Sequence, residues 1–201
     1  MTRIVVPFRG AGAKIRLTPL GERERGELAL AMLCDVAAAC VVAGETTVVT
    51  EDERAGALVA ELGVAVAPDP GGGQGAAVAA VIASLGPGPV LVVNADVPCV
   101  GPHDLRTLQR ATPAPGLAYV PAADGTTNAL GLPEPRFFVP VYGPGSAERF
   151  RAHAEGLGAV ALAVALPNLA DDVDTEDDLR RVGLRAGPRT QAAIASLGLA
   201  A

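Results

Sequence analysis

The sequence predicts an α/β protein in which helices cover both faces of a mixed, mainly parallel sheet. Apolar runs alternate with helical patterns through the first half of the chain, and the connections between them are short. The run Val90–Val93 is apolar at every position, which is typical of a strand buried on both sides. A parallel sheet between two helical layers provides that burial, and we therefore predict this fold class.

The elements are predicted in chain order. Arg3–Pro7 reads as the first strand, and residues 22–39 as the first helix, because apolar residues such as Leu28 and Met32 recur there at helical spacing. The next elements are strand 46–50, helix 53–62, strand 64–66, helix 76–85, strand 90–93 and helix 102–110. Beyond about residue 117 we predict strands 118–121 and 137–140, helix 147–154, an extended segment 160–166 and a helix after Thr175.

Length and composition indicate a single domain. The chain has 201 residues, half of them hydrophobic, and can bury a complete core without a second domain. Within it we distinguish a nucleotide-binding half (1–116), an acceptor and metal half (117–183) and a C-terminal segment (184–201). The sequence contains no internal repeat or low-complexity linker that would divide it.

Composition also argues against several classes of protein. A net charge of −6 with 3% aromatic residues is unsuited to a nucleic-acid surface, so any nucleotide bound here should be a small molecule. We identify no apolar run of transmembrane length and no signal-peptide core, and expect a cytoplasmic protein without membrane contact. Whether it forms a homodimer stays open. Cys34, Cys40 and Cys99 lack zinc-ligand spacing and are predicted to be reduced and mostly buried.

A dense acidic segment at 171–178 contains five Asp and one Glu. Thr175 is a plausible helix N-cap with Asp178 in capping-box position, and acidic side chains suit the first turn of the helix that follows. Asp172 and Asp174 are left without such a role. In an extended backbone they point to the same side and repel each other unless a divalent cation lies between them.

Asp96 is a third candidate metal ligand. It follows the buried strand 90–93, and the carboxyl ends of such strands are where open α/β sheets place ligand chemistry. Taken alone, an Asp at this position is more often a turn former or helix cap. Together with Asp172 and Asp174 it forms a three-carboxylate set, which suits Mg²⁺ carrying phosphate.

The loop after the first strand, residues 7–17, combines small residues with positive charge. Its small residues let backbone N–H groups approach a polyphosphate, while Arg9, Lys14 and Arg16 supply cations. Lys14 is the only lysine of the chain. The loop lacks the ending of a P-loop and the glycine spacing of a dinucleotide-binding fingerprint, and a solvated surface loop is the alternative interpretation.

Two further segments are candidates for anion binding. Residues 143–146 precede the predicted helix 147–154, so that backbone N–H groups of its first turn could meet an anion, with Ser146 as a ligand contact or an N-cap. Residues 124–128 could contribute to the same site or form a simple hydrophilic turn. Both alternatives stay open at this point.

These segments resemble the guanylyltransferases of coenzyme F420 biosynthesis, the enzymes named for 2-phospho-L-lactate or phosphoenolpyruvate. The resemblance spans nearly the whole chain, and its specific parts are Gly-Thr-Thr-Asn-Ala-Leu (125–130) and Gly-Pro-Gly-Ser (143–146). It is also carried by 7–17, 68–72, 94–98, 142 and 172–175. This chain has Arg9 where the family usually has lysine, and Gln74-Gly75 where it usually has Leu-Asn.

The resemblance implies a GT-A-like (Rossmann-like) nucleotidyltransferase fold and transfer of GMP from GTP to the phosphate of phosphoenolpyruvate or 2-phospho-L-lactate, with release of pyrophosphate. The implied residues are Asp96, Asp172 and Asp174 for Mg²⁺; Pro7, Arg9, Gly10, Lys14 and Gly72 for the nucleotide; Thr127, Gly143 and Ser146 for the acceptor; and Lys14, Arg16 and Asp96 for catalysis. The GC-rich composition resembles actinobacterial members, for which phosphoenolpyruvate is the implied acceptor.

The expected mechanism is in-line attack of an acceptor phosphate oxygen on the α-phosphorus. That phosphate is ionised near neutral pH, so catalysis rests on positioning and charge neutralisation without a general base. The alternatives are a molybdenum-cofactor or sugar-phosphate nucleotidyltransferase of the same fold, and a non-catalytic nucleotide-binding regulator.

Overall fold

The computed structural model describes residues 1–10, 17 and 20–198, and its centre is a seven-stranded sheet. The strands are β1 (Arg3–Pro7), β2 (Glu45–Val49), β3 (Ala65–Ala67), β4 (Val90–Val93), β5 (Gly116–Pro121), β6 (Thr127–Leu132) and β7 (Val160–Ala163). The helices are α1 (Glu22–Ala43), α2 (Glu53–Ala60), α3 (Gln74–Ile82), α4 (Pro102–Ala111), α5 (Ser146–Gly156), α6 (Pro167–Ala170), α7 (Glu176–Val182) and α8 (Pro188–Ser196).

The sheet is mixed and mainly parallel, as predicted. Its strand order is β3-β2-β1-β4-β6-β5-β7. Strands β1 to β4 pair in parallel, and β5 pairs in parallel with β7. Strand β6 alone runs antiparallel to its neighbours β4 and β5. The start of β6 therefore lies at the same edge of the sheet as the carboxyl ends of β1, β2 and β4, and this places residues from both halves of the chain together.

Helices cover both faces of the sheet, which confirms the second part of the prediction. One core cluster joins α1, α2, α4 and α6 to one face through residues such as Leu33, Val59 and Leu105. A second cluster joins α3 and α5 to the other face through Val78 and Phe150. The central strands β4 and β6 are buried at each of their positions, whereas the edge strands β3 and β7 are largely exposed.

Helix α1 is more apolar than the sequence analysis allowed. By length and composition α1 could cross a membrane. The prediction that the chain has no apolar run of transmembrane length is therefore wrong for this helix. The structure gives its apolar surface another role, because 67% of the most apolar window is buried inside the fold. We therefore interpret α1 as the central core helix of this domain.

Two elements of the second half differ from the prediction. Residues 137–140 do not form a strand; a single 3₁₀ turn at Pro135–Phe137 is present instead, and the prolines at 133, 135 and 140 remove N–H groups that a sheet ladder would need. Conversely, Thr127–Leu132 form the buried strand β6, which begins inside the segment 124–128 that was predicted as a binding segment or turn. Strand β7 covers only the first part of the predicted extended segment 160–166, because it ends at Ala163, and the short helix α6 begins at Pro167.

The C-terminal segment packs on α1 as helix α8. Asp35, in the middle of α1 and 6% exposed, accepts hydrogen bonds from the backbone N–H groups of Arg189 (3.2 Å) and Thr190 (2.7 Å). These N–H groups belong to the first turn of α8, which has no partner for them within its own helix. A carboxylate from one helix thus caps another helix 154 residues away in sequence, and the sequence analysis did not identify this element.

Candidate active site

The candidate site lies where the carboxyl ends of β1 and β4 meet the start of β6. Pro7 is the last residue of β1 and Phe8–Gly10 follow it, and Asn94, Ala95 and Asp96 follow β4. The backbone N–H of Asn94 donates to the carbonyl of Asn128 on β6 at 2.9 Å. This hydrogen bond continues the β4–β6 ladder one residue beyond the strand and fixes the position from which Asp96 projects.

Three predicted metal ligands converge at this edge. One carboxylate oxygen each of Asp96, Asp172 and Asp174 lies within 4.8 Å of the other two. Asp172 and Asp174 lie in the loop between α6 and α7 and not at the end of a strand. The loop is held against Asp96 by another contact: the backbone N–H of Val173 donates to the Asp96 carbonyl at 3.0 Å. Val173 itself is buried, which anchors the two carboxylates on either side of it.

The remaining acidic residues of this segment have partners of their own. Asp171 pairs with Arg181 and Arg185. Glu176 and Asp177 pair with Arg180. Arginines therefore neutralise the outer part of the acidic segment, whereas Asp172 and Asp174 face Asp96.

The predicted capping box is confirmed. The Thr175 hydroxyl accepts from the backbone N–H of Asp178, and the Asp178 carboxylate accepts from the backbone N–H of Thr175 at 2.8 Å. Burial acts to raise the pKa of Asp178, but the hydrogen bonds from Thr175, from the Asp174 N–H and from Arg181 outweigh it and hold the pKa below its ordinary value. The cap fixes the backbone immediately after Asp174.

The carboxylate cluster carries an electrostatic cost. Burial raises the pKa of Asp172 above its ordinary value, and the carboxylates of Asp96 and Asp174 act in the same direction, while a hydrogen bond from Asn128 opposes them. A cation between the three groups would remove this repulsion. Oxygens on opposite sides of one Mg²⁺ or Ca²⁺ lie about 4.0–5.2 Å apart, because metal–oxygen bonds are about 2.0–2.6 Å long. The donor set and its spacing fit one hard divalent cation.

Carboxamide side chains connect this cluster to a cleft. Asn128 donates to the Asp172 carboxylate at 3.2 Å, Asn94 donates to the Asn128 side-chain oxygen at 3.3 Å, and Gln74 donates to the Asn94 side-chain oxygen at 2.6 Å. The sequence analysis gave none of these three amides a role. The sequence signal was the position of two polar residues, Asn94 directly after β4 and Asn128 inside β6, where an apolar strand would otherwise continue.

The cleft beside β1 has a volume of about 140 Å³. Among the described residues it is lined by Pro7, Phe8, Arg9, Gly10, Gln74 and Asp96, with neighbouring residues of β4 and α1. Three of the residues predicted to contact the nucleotide, Pro7, Arg9 and Gly10, thus border the same cavity as a candidate metal ligand. Lys14 and Arg16, predicted for phosphate binding and catalysis, lie outside the described residues.

A second cavity, of about 490 Å³, adjoins the first through Arg9 and Gln74. Gly72 and Gly143 both line it. The backbone φ angles at Gly71, Gly72 and Gly73 are +78°, +84° and +90°, a conformation that favours glycine and turns the chain directly into the start of α3. Gly75 is also required there, because a Cβ atom would lie 2.8 Å from the carbonyl oxygen of Pro140.

Thr127 and Ser146 lie deeper than a freely accessible ligand contact would. Thr127 is 1% exposed and Ser146 is fully buried, and the Ser146 hydroxyl donates to the Thr127 hydroxyl oxygen at 3.1 Å. Ser146 is the first residue of α5 and Gly145 is its N-cap, so the interpretation of Ser146 as N-cap is wrong. The N–H of Ala147 donates to the Gly125 carbonyl at 3.3 Å, so this group of the first turn already has an acceptor.

The loop between the second cavity and α5 is held by Arg149. Its guanidinium donates to the carbonyls of Val141 (2.9 Å) and Tyr142 (3.0 Å), and also to that of Pro144. These bonds satisfy three backbone carbonyls around Gly143 with one side chain. The loop is therefore shaped before any ligand arrives.

Comparison with known sequences identifies similar proteins along the whole chain. A family model described as guanylyl transferase CofC like matches residues 2–198. The phosphoenolpyruvate guanylyltransferase of Geodermatophilus obscurus is 38% identical over 203 aligned residues, which cover 95% of this chain and 93% of that protein. The protein of the same name from Streptomyces coelicolor is 40% identical over 211 residues, covering 98% and 97%.

Solved structures share the fold at low sequence identity. A putative nucleotide-diphospho-sugar transferase from Desulfovibrio desulfuricans superposes with a TM-score of 0.78 at 14% identity and covers 98% of this chain and 96% of its own. A CMP:2-keto-3-deoxy-manno-octonic acid synthetase solved with CTP gives a TM-score of 0.58 at 15% identity, covering 96% and 98%. These similarities confirm the predicted nucleotidyltransferase fold and carry no information on substrate.

Proposed function

The chain belongs to the family of CofC-like guanylyl transferases, and on this premise we propose that it transfers GMP from GTP to the phosphate of phosphoenolpyruvate, releasing pyrophosphate, in coenzyme F420 biosynthesis. The observation that carries the proposal is the convergence of Asp96, Asp172 and Asp174 beside a cleft at the end of β1 and β4. The name shared by the relatives at 38% and 40% identity supports the choice of nucleotide and acceptor.

Asp96, Asp172 and Asp174 would hold Mg²⁺, which supplies charge neutralisation for the nucleotide phosphates. Pro7, Arg9 and Gly10 border the cleft in which the nucleotide is proposed to bind. Arg9 is exposed at the junction of the two cavities and can place its guanidinium on a phosphate oxygen. We assign Lys14 and Arg16 to the same phosphates, and Gly72 to the nucleotide side of the second cavity.

The acceptor is proposed to bind in the second cavity, next to the loop at Gly143. The buried Ser146–Thr127 pair would support the carboxylate of the acceptor from below, and Arg149 holds the surrounding loop in shape. The acceptor phosphate then lies on the side of the cluster opposite the leaving pyrophosphate. Because it is already ionised near neutral pH, its oxygen attacks the α-phosphorus without a protein base, and positioning is the main contribution of the protein.

The proposal is tested by mass spectrometry of the products. The purified protein is incubated with GTP and Mg²⁺ in the presence of equal concentrations of phosphoenolpyruvate, 2-phospho-L-lactate and 3-phosphoglycerate. We expect the GMP adduct of phosphoenolpyruvate as the main product, together with pyrophosphate. If the GMP adduct of 2-phospho-L-lactate is the main product, the proposed acceptor is wrong but guanylyl transfer stands. Pyrophosphate release with ATP or CTP but not with GTP would contradict guanylyl transfer.

A further inference from the structure

The three carboxamides between the carboxylate cluster and the cleft form a chain with a defined direction. Asn128, on β6, donates through its side-chain nitrogen to the Ala170 carbonyl and to the Asp172 carboxylate, both at 3.2 Å. Asn94, after β4, donates through its side-chain nitrogen to the Thr127 carbonyl and to the Asn128 side-chain oxygen, both at 3.3 Å. Gln74, at the start of α3, donates to the Asn94 side-chain oxygen at 2.6 Å.

Backbone carbonyls fix the direction of this chain. A carboxamide can rotate by 180° and exchange its donor and acceptor ends, but a carbonyl oxygen accepts only. The Ala170 carbonyl therefore holds the Asn128 nitrogen towards Asp172, and the Thr127 carbonyl holds the Asn94 nitrogen towards Asn128. Each amide then presents its oxygen to the next donor, so that the order Gln74 to Asn94 to Asn128 to Asp172 has one consistent assignment.

We propose that Asn128 is a positioning residue for the metal site, and that Asn94 fixes its orientation. The proposal rests on the metal site of the proposed function, and it adds residues to which that function assigns no role. Asn128 is 1% exposed, so water does not compete for its hydrogen bond to Asp172. Hydrogen bonds behind a metal ligand hold the ligand in its binding orientation, and removing one typically weakens metal affinity by about 10–100-fold.

The test measures metal binding in the absence of nucleotide, with Mn²⁺ as the probe and free Mn²⁺ detected by electron paramagnetic resonance. We expect Asn128→Ala to raise the Kd for Mn²⁺ by about tenfold or more. Asn94→Ala should raise it by a smaller factor, because Asn128 keeps its anchor on the Ala170 carbonyl. The double variant should resemble Asn128→Ala alone, since the two residues act through the same hydrogen bond to Asp172.

A matched control is available in α6. Asn168 donates to the Asp104 carboxylate at 3.2 Å, the same contact type and distance as Asn128 to Asp172, but Asp104 does not belong to the carboxylate cluster. Asn168→Ala should leave the Kd for Mn²⁺ within about twofold of the wild-type value. Melting temperatures of all variants are measured in parallel, so that a general loss of structure is distinguished from a loss of metal affinity.

The outcomes separate this proposal from the proposed function. If Asp172→Asn abolishes Mn²⁺ binding and Asn128→Ala leaves it unchanged, the metal site stands and the positioning role is overturned. An equal loss of affinity in Asn128→Ala and Asn168→Ala would also overturn it, because the effect would then be structural. If the wild-type protein binds no Mn²⁺ at this cluster, both proposals fail.

Discussion

At the scale of the residue, the acidic segment separates into two groups according to its partners. The outer residues, such as Asp171 with Arg181 and Arg185, are neutralised by arginines. Asp172 and Asp174 instead approach Asp96, where burial and like charge disfavour ionisation of Asp172. A divalent cation between the three carboxylates would relieve the like-charge repulsion at Asp172, and this is the physical argument for a metal site here.

The carboxylates provide the first prediction. Asp96→Asn, Asp172→Asn and Asp174→Asn should each lower kcat/KM by about two orders of magnitude or more at saturating Mg²⁺, because each removes one charged ligand. The melting temperature of Asp172→Asn without metal should stay equal or rise, since its repulsion by the other two carboxylates is relieved. Asp171→Asn is the matched control and should retain turnover within about twofold. Near-normal activity in any two of the three variants would contradict the metal assignment.

The buried pair Ser146–Thr127 provides a second prediction. Ser146→Ala should raise the KM for the acceptor by about tenfold, which corresponds to the loss of one hydrogen bond of about 1–2 kcal/mol near a charged group, and should leave the KM for GTP largely unchanged. Both KM values and the melting temperature are measured for this variant. Ser84→Ala serves as control, because its hydroxyl donates to the Val81 carbonyl away from both cavities. Equal changes in the two KM values would show that Ser146 has a structural role and does not contribute specifically to acceptor binding.

At the scale of the element, the sequence predicts a helix or strand well when the residues of that segment alone stabilise it, and poorly when distant partners are needed. Strand β4 and helix α4 were predicted within one residue, because their apolar pattern and flanking turn residues are contained in the segment itself. Strand β6 was missed, since its polar start, Thr127-Asn128, resembles a loop. Among the described residues, their side chains find hydrogen-bond partners in Ser146, Asn94, Asp172 and the Ala170 carbonyl, all distant in sequence.

Helix α8 shows the same dependence on distant partners. Its sequence has one large apolar residue, Ile194, so its periodicity carries little signal. The carboxylate of Asp35 supplies the cap, and Gly187 lets the two helices approach, because a Cβ atom there would lie 2.4 Å from the Asp35 side chain. The amide chain of the candidate site is likewise unpredictable from sequence, since its hydrogen bonds join residues 20 to 44 positions apart.

The contact between α1 and α8 gives a third prediction. Asp35→Ala should lower the free energy of unfolding by about 2–3 kcal/mol, because the buried N–H of Thr190 loses its acceptor. Urea titration followed by circular dichroism measures the change. Asp177→Ala is the control: its carboxylate is 88% exposed and pairs only with Arg180 among the contacts described, so we expect a change below about 0.5 kcal/mol. Similar changes in the two variants would contradict the capping role of Asp35.

At the scale of the whole molecule, the three cysteines report on the integrity of the core on the α1 side of the sheet. Cys40 belongs to the core between α1 and the sheet, and Cys99 to the third cluster, which joins α1, α7 and α8. All three are free and buried, as predicted. Burial raises the pKa of Cys40 to about 12, and burial is also the main cause that raises the pKa of Cys34 and Cys99.

These thiols should therefore be protected together and exposed together. The thiolate is the reactive form, and in the folded protein at pH 8 both burial and the raised pKa suppress it. We expect Ellman's reagent to modify fewer than one thiol per chain in the native protein and all three after denaturation. Unfolding should also release protons above about pH 8.5, where an exposed thiol ionises and a buried one does not, so that stability falls as pH rises through this range. Rapid labelling of Cys40 under native conditions would show that the layer between α1 and the sheet opens independently of global unfolding.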